Sequence, residues 1–216
     1  LALARTNPKL GSRKPGIVPQ KQLRKRRSLP EYLDKVEVDV LIDCSPHIQA
    51  RLLILLMWRA GLRVSEAIAV CPTDISFASK DGKQPPSGKR YGMLKVKNGK
   101  GGKDRLVPLH AELEEALRYV LVFTAHEQNA SIVGAHRGTA HRWIKAAVRE
   151  AEKRELFSPG RRVGNHTLRH SAARHWLSCG IPINVVSRWL GHANLSTTLI
   201  YLEILPDPLS EMQRVE

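Results

Sequence analysis

The chain has 216 residues, 42% of them hydrophobic, which is enough to bury a full core, and no apolar run long enough to span a bilayer. Its 35 Lys and Arg outnumber 20 Asp and Glu, giving a formal charge of +15 and a sequence pI near 10.2, so nucleic acid is the expected partner ahead of an anionic membrane. Cys44, Cys71 and Cys179 are scattered and form no CxxC pair, which argues against a disulfide framework or a zinc knuckle and fits a reducing compartment.

Residues 1 to 30 hold nine Lys and Arg, including the run Arg24, Lys25, Arg26 and Arg27, and no acid. This stretch is expected to be a flexible basic arm that touches phosphates, and residues 31 to 216 to form one domain. The rest of the chain keeps a net charge of +6, so the arm alone does not explain the sign. The opening "LALARTNPKLGSRKPG" has no continuous apolar region of the kind a secretory signal needs, and the absence of a leading Met suggests a trimmed or fragmentary chain.

Regular patterns begin after Leu29. An amphipathic helix is expected near 34 to 44, and a strongly apolar one over "HIQARLLILLMWRA", 47 to 60, ended by Gly61. A short helix follows in "RVSEAIAV". The period then changes: "ISFAS", "YGMLKVK" and "RLVPL" are short β-like runs, with "NGKGGK" as the connector between the last two, and together they predict a small antiparallel sheet. Helical spacing returns in "HAELEEALRYVLVFT" and "TAHRWIKAAVREAEKREL". It continues in "NHTLRHSAARHWLSCG", residues 165 to 180, with Asn165 as the expected N-cap and Gly180 past the C-terminus. "INVVSRWLG" and "STTLIYLEI" complete the series. The fold class expected is α+β, mostly helical with a small antiparallel sheet.

Several side chains in this order carry chemistry. Arg63 and Glu66 stand three apart, a spacing that lets the carboxylate orient the guanidinium, although alone it reads as a surface ion pair. His166 and Arg169 also stand three apart, at a helix start where an anion is favoured, so they are expected to share one face suited to phosphate. Lys100 in a turn, His192 after a glycine and Tyr201 on an amphipathic stretch are each unremarkable in isolation.

Taken in order, "GLRVSE", "GKGGKDRLVPL", "HTLRHS" and "LGHANLSTTLIYLEI" resemble the catalytic domain of the tyrosine recombinase (phage integrase) family over about residues 29 to 205. The resemblance implies that Arg63, Lys100, His166, Arg169, His192 and Tyr201 are catalytic, with Tyr201 as the nucleophile. It implies a structural role for His170 and assigns none to His175, which is expected to pack or face solvent, and Glu66 is expected to support Arg63 through their spacing. Lys103, like the four basic residues of the arm, is expected to touch DNA. The function implied is site-specific recombination of double-stranded DNA through a 3′-phosphotyrosine, with no metal, ATP or other cofactor. A tetramer on paired sites, a monomer or weak oligomer off DNA, and a cytoplasmic, nucleoid-associated location follow from the same resemblance.

These residue types suit that chemistry. A phenolate attacking a phosphodiester builds negative charge on nonbridging oxygens and needs a proton for the departing 5′-oxygen. Arginines meet the first demand with a planar fork that stays charged, and Lys100, by family resemblance, meets the second. Three alternatives compete. A metal nuclease could use His166 and His170, but the sequence offers no convincing third ligand and no acid cluster beside that helix. A helix-turn-helix regulator could use "GIPINVVSRWLGHANLSTTLIY". A type IB topoisomerase shares the chemistry. Most members of the family place a helical DNA-binding domain before the catalytic one, and here a 30-residue basic arm precedes Glu31, so the chain is expected to be either a catalytic fragment or a short recombinase.

Overall fold

The computed structural model describes residues 30–78, 91–97, 104–123 and 127–205. The basic arm with Arg24, Lys25, Arg26 and Arg27, and the connector with Lys100 and Lys103, lie outside the described residues.

Helix α1, Lys35–Asp43, starts at a capping box: Asp34 accepts from the Glu37 backbone N–H, and the Glu37 carboxylate accepts from that of Asp34. Helix α2, Ile48–Arg59, is the centre of the molecule, with every residue from Leu52 to Arg59 buried. A helix apolar on all sides must be enclosed, and α1, the later helices α4 (Ala111–Phe123), α5 (Arg137–Lys153) and α6 (Thr167–Ser178) all pack around it. Each fully buried aliphatic side chain there contributes about 1.5–3 kcal/mol. Helix α5 shows how the outer layer is selected, because Ala140, Ile144, Ala147, Val148 and Ala151 recur at helical spacing and are the residues it buries.

A one-turn helix α3, Val64–Ala67, leads to a three-stranded antiparallel sheet of β1 (Ile75–Ser76), β2 (Met93–Val96) and β3 (Arg105–Pro108) in the order β1-β2-β3. Leu94 opposes Ile75 on one side and Val107 on the other, so Leu94 and Val107 turn to the core, and Val96 opposes Arg105. The first strand is shorter than "ISFAS" suggests.

Helix α7, Ile183–Leu190, and the one-turn α8, Ser196–Leu199, close the fold, with a 3-10 turn at Leu202–Ile204. The single amphipathic helix expected over "STTLIYLEI" is therefore broken at Tyr201, which sits between its two pieces. Tyr201 is buried in a second, smaller apolar cluster with Ala173, Leu177, Val186 and Leu190, joined to the main core through Trp176.

Helix α6 begins one residue later than expected, with His166 and not Asn165 at the N-cap. The Asn165 side chain is engaged by His141 Nδ1 at 3.1 Å, and Thr167 Oγ1 instead accepts the Gly164 N–H at 2.9 Å. Two glycines are required by geometry. Gly61 has φ +60°, and a Cβ there would stand 2.8 Å from the Trp176 ring; Gly191 has φ +66°, and a Cβ would stand 3.0 Å from the Arg105 side chain. Both lie directly beside the candidate site.

Candidate active site

The site grows around one carboxylate. Glu66 lies at the third position of α3, and its carboxylate accepts the Arg63 backbone N–H at 2.8 Å and Arg63 Nη1 at 2.7 Å. The local pairing expected from spacing is present. The same carboxylate also receives Arg105 as a two-pronged fork, Nη1 at 2.9 Å and Nη2 at 2.7 Å, and has Arg169 Nη1 at 3.6 Å. Burial alone would raise the Glu66 carboxyl, but the Arg105 hydrogen bonds and the surrounding arginine charge outweigh it and hold the pKa at about 2. Three arginines thus share one anion, leaving an excess of about two positive charges in a partly desolvated space.

Arg105 was not singled out by its sequence context, yet it ties the shell together. Besides gripping Glu66, its Nε donates to the Trp189 carbonyl at 2.7 Å, which fixes β3 to the end of α7. Arg169 is 3% exposed, and its Nη1 and Nη2 donate to the carbonyls of Gly61 and Leu190. Burial and the Arg63 charge lower its pKa to about 10, which still leaves it charged at neutral pH. Arg63 is the most open of the three, with 23% of its side chain exposed.

His166 and Arg169 share the first turn of α6 but not its exposure. His166 faces solvent while Arg169 points into the molecule, so the two flank the site from the rim and from beneath and do not share one open face. Partial burial, then the charges of Arg169, Arg137 and Arg63, lower the His166 pKa. Arg137, at the start of α5, is therefore a further cation near this rim.

The nucleophile candidate is held from two sides. Tyr201 is 3% exposed, and its hydroxyl lies 2.8 Å from His170 Nδ1. The His192 ring stacks on it, with centroids 6.4 Å apart and planes at 17°, and His192 Nδ1 is bound to Thr198 Oγ1 at 2.8 Å. Thr198 is fully buried and also went unnoticed in the sequence. Burial raises the Tyr201 pKa against the opposing pull of Arg169 and Arg63. Burial, helped by neighbouring positive charge, brings His170 and His192 to about 4, so both are neutral at pH 7.

His175 lies away from this group, its ring 4.9 Å from Trp58 as packing suggests, and the three cysteines are free thiols. Among the described residues no three His, Cys, Asp or Glu side chains converge as metal ligands. Helix α8 has four residues, too few to fill a major groove as a recognition helix, which weakens the helix-turn-helix alternative. No helix among the described residues is long and apolar enough to cross a membrane.

The helical architecture with its three-stranded sheet is that of tyrosine recombinase catalytic domains. The crystal structure of XerA recombinase superposes with a TM-score of 0.63 at 25% identity, covering 87% of this chain and 66% of that one. XerH site-specific recombinase, bound to a palindromic difH substrate in a post-cleavage complex, gives a TM-score of 0.63 at 22% identity over 87% of this chain and 53% of that one. A tyrosine recombinase of Thermosipho africanus is 36% identical over 193 residues, 85% of this chain and 61% of that protein. Residues 31–206 match the model of the phage integrase family, and the chain belongs to that family. It spans about six tenths of the length of the curated relatives it matches.

Proposed function

We propose that the protein is a site-specific DNA recombinase that cuts and rejoins double-stranded DNA through a covalent 3′-phosphotyrosine at Tyr201. The observation that carries this reading is the neighbourhood of a buried phenol and a prebuilt cationic shell, Arg63, Arg105 and Arg169 around Glu66. Arg63 and Arg169, with His166 at the rim, bind the nonbridging oxygens of the scissile phosphate, where charge grows as the fifth bond to phosphorus forms. Glu66 and Arg105 orient the other two arginines. The Tyr201 oxygen displaces the 5′-oxygen, Lys100 donates the proton that oxygen needs, and His192 positions the tyrosine. The phosphotyrosine keeps the diester in an activated form, so a 5′-hydroxyl from another strand reseals it without a nucleotide. Fixed arginine charge performs the task a metal ion would otherwise perform.

The basic balance of the whole chain supports a nucleic-acid partner. Residues 1 to 30, with Arg24, Lys25, Arg26 and Arg27, act as an electrostatic tether, and Lys103 adds a phosphate contact. Strand exchange between two sites requires four active sites, hence a tetramer on paired DNA.

The test uses a nicked suicide duplex and excess chelator. A denaturation-resistant protein–DNA adduct is expected from the wild type and none from Tyr201→Phe. Loss of the adduct in chelator with rescue by magnesium or zinc would return the metal-nuclease alternative to first place.

A further inference from the structure

We propose that His170 is the proton acceptor for Tyr201: its Nδ1 takes the phenolic proton as the tyrosine oxygen attacks phosphorus and returns it when that bond is broken. The proposal rests on the recombinase reading and gives it a base, which neither the arginines nor Lys100 supplies.

The geometry favours His170 over every other candidate near the phenol. Its Nδ1 is the one hydrogen-bond partner of the Tyr201 hydroxyl among the described residues, at 2.8 Å. His192 presents its ring face to Tyr201 and has Nδ1 committed to Thr198. His166 sits at the rim, with its ring centroid 6.1 Å from that of His170. The Glu66 carboxylate is occupied by Arg63 and Arg105 and is held strongly acidic. The position of His170 is fixed by the helix itself, since its N–H donates to the His166 carbonyl at 2.9 Å. Successive residues on a helix point about 100° apart. Arg169 therefore turns inward to Glu66 and the Gly61 and Leu190 carbonyls while His170, the next residue, turns to the Tyr201 hydroxyl.

A phenol whose pKa is raised by burial does not ionise by itself at neutral pH, so attack needs an acceptor within hydrogen-bond reach. His170 is neutral for the reasons that make it a weak base in the free protein: burial first, then the charges of His166 and Arg169. A phosphodiester lying against Arg169 offsets one of those charges and strengthens the base only when substrate is in place. The groups facing His170 are His166 and Arg169 on its own helix and Tyr201 and His192 across from it.

The protons balance. In cleavage the Tyr201 O–P bond forms, the P–O5′ bond breaks, the phenolic proton moves to Nδ1, and the departing oxygen takes a separate proton from Lys100. In resealing a 5′-hydroxyl attacks phosphorus and gives its proton to Lys100, while the tyrosine oxygen leaves with the proton held on His170. The same residue serves both directions, as microscopic reversibility demands, and it must begin with its proton on Nε2.

The experiment measures single-turnover adduct formation on the suicide duplex, from pH 6 to pH 9, for the wild type, His170→Asn and His170→Gln. It repeats each with a fluorinated tyrosine of lower phenol pKa at position 201. Both substitutions should slow adduct formation by about 10²–10⁴-fold, the range for loss of a general base, while DNA binding is retained. Their rates should climb with pH where the wild type is flat, and the fluorinated phenol should restore them by at least about tenfold while changing the wild type little. Full activity in His170→Gln would make the residue a hydrogen-bonding positioner, and equal fluorotyrosine effects in all backgrounds would also overturn the proposal. The nitrogen-15 shift of His170 in the unsubstituted protein gives an answer independent of any variant's folding: an unprotonated Nδ1 is expected, and a protonated Nδ1 contradicts the assignment. A wild type that forms no adduct would instead sink the recombinase reading itself.

Discussion

The arginine shell and the tyrosine pocket lie side by side, yet they are held in different ways. Glu66 binds Arg63 and Arg105 within 2.7–2.9 Å, and Arg105 and Arg169 are further fixed to the carbonyls of Trp189, Gly61 and Leu190. Arg105 and Arg169 are each over-determined. The Tyr201 hydroxyl has one hydrogen-bond partner among the described residues, His170, and the residue packs in a small cluster between a one-turn helix and a 3-10 turn. The contrast suits the proposed chemistry: groups that stabilise charge work best when preorganised, whereas a nucleophile must move toward phosphorus and later leave. Damage to the shell should therefore appear in both stability and rate, and damage around the tyrosine mainly in rate.

The largest effect that separates the two regions belongs to the arginines. Arg63→Ala and Arg169→Ala should each slow adduct formation by about two to three orders of magnitude, measured in single turnover, with DNA affinity changed far less. If both fall equally in affinity and not in rate, the arginines bind the ground state only.

Glu66→Gln comes next, and it should act on the fold. Removing the anion leaves three arginines facing one another, and a broken buried pair costs about 3–5 kcal/mol, readable from the urea midpoint. The pH dependence has a definite sign. Because the Glu66 pKa falls from 4.5 to about 2 on folding, its contribution is fully present above pH 4.5 and is lost as pH drops toward 2. Acid titration of Glu66→Gln should lack that component.

Arg105→Lys should be milder, losing the fork to Glu66 and the bond to Trp189 while keeping the charge. A destabilisation of about 1.5–3 kcal/mol in urea unfolding is expected, with a smaller loss of rate than Arg63→Ala gives. The smallest effect is Thr198→Val, which removes the partner of His192. It should cost about 1 kcal/mol and slow adduct formation by about tenfold. A larger stability loss than Arg105→Lys would show that the tyrosine pocket, and not the shell, is the over-determined region.

What could be read in the sequence follows the same division between local and distant. The Arg63–Glu66 pair was legible because three residues on one helical turn place the groups together. The apolar helix α2 and the three strands were legible from their periods. Arg105 was not, because 39 positions separate it from Glu66 and an arginine opening "RLVPL" looks like an outward strand residue. Its signal was indirect: a glutamate in an otherwise apolar stretch needs more than one partner if it is buried. The start of α6 was misplaced by one residue because a side chain from α5, His141, claims Asn165, a contact no local rule foresees. The different depths of His166 and Arg169 also depend on α7 and Gly61 supplying carbonyls beneath the helix. Tyr201 and His192 stand out through the family resemblance and the His166–Arg169 pair through its spacing, whereas the tie between Tyr201 and His170 needed three dimensions.

The central claim is that the phenol of Tyr201 becomes joined to DNA beside a fixed arginine shell. Peptide mapping by mass spectrometry of the adduct trapped on a suicide duplex tests it most directly. The account predicts a 3′-phosphate attached to the peptide containing Tyr201; the same mass on a peptide carrying Tyr32, Tyr91 or Tyr119, or cleaved DNA with no attached peptide, would contradict it.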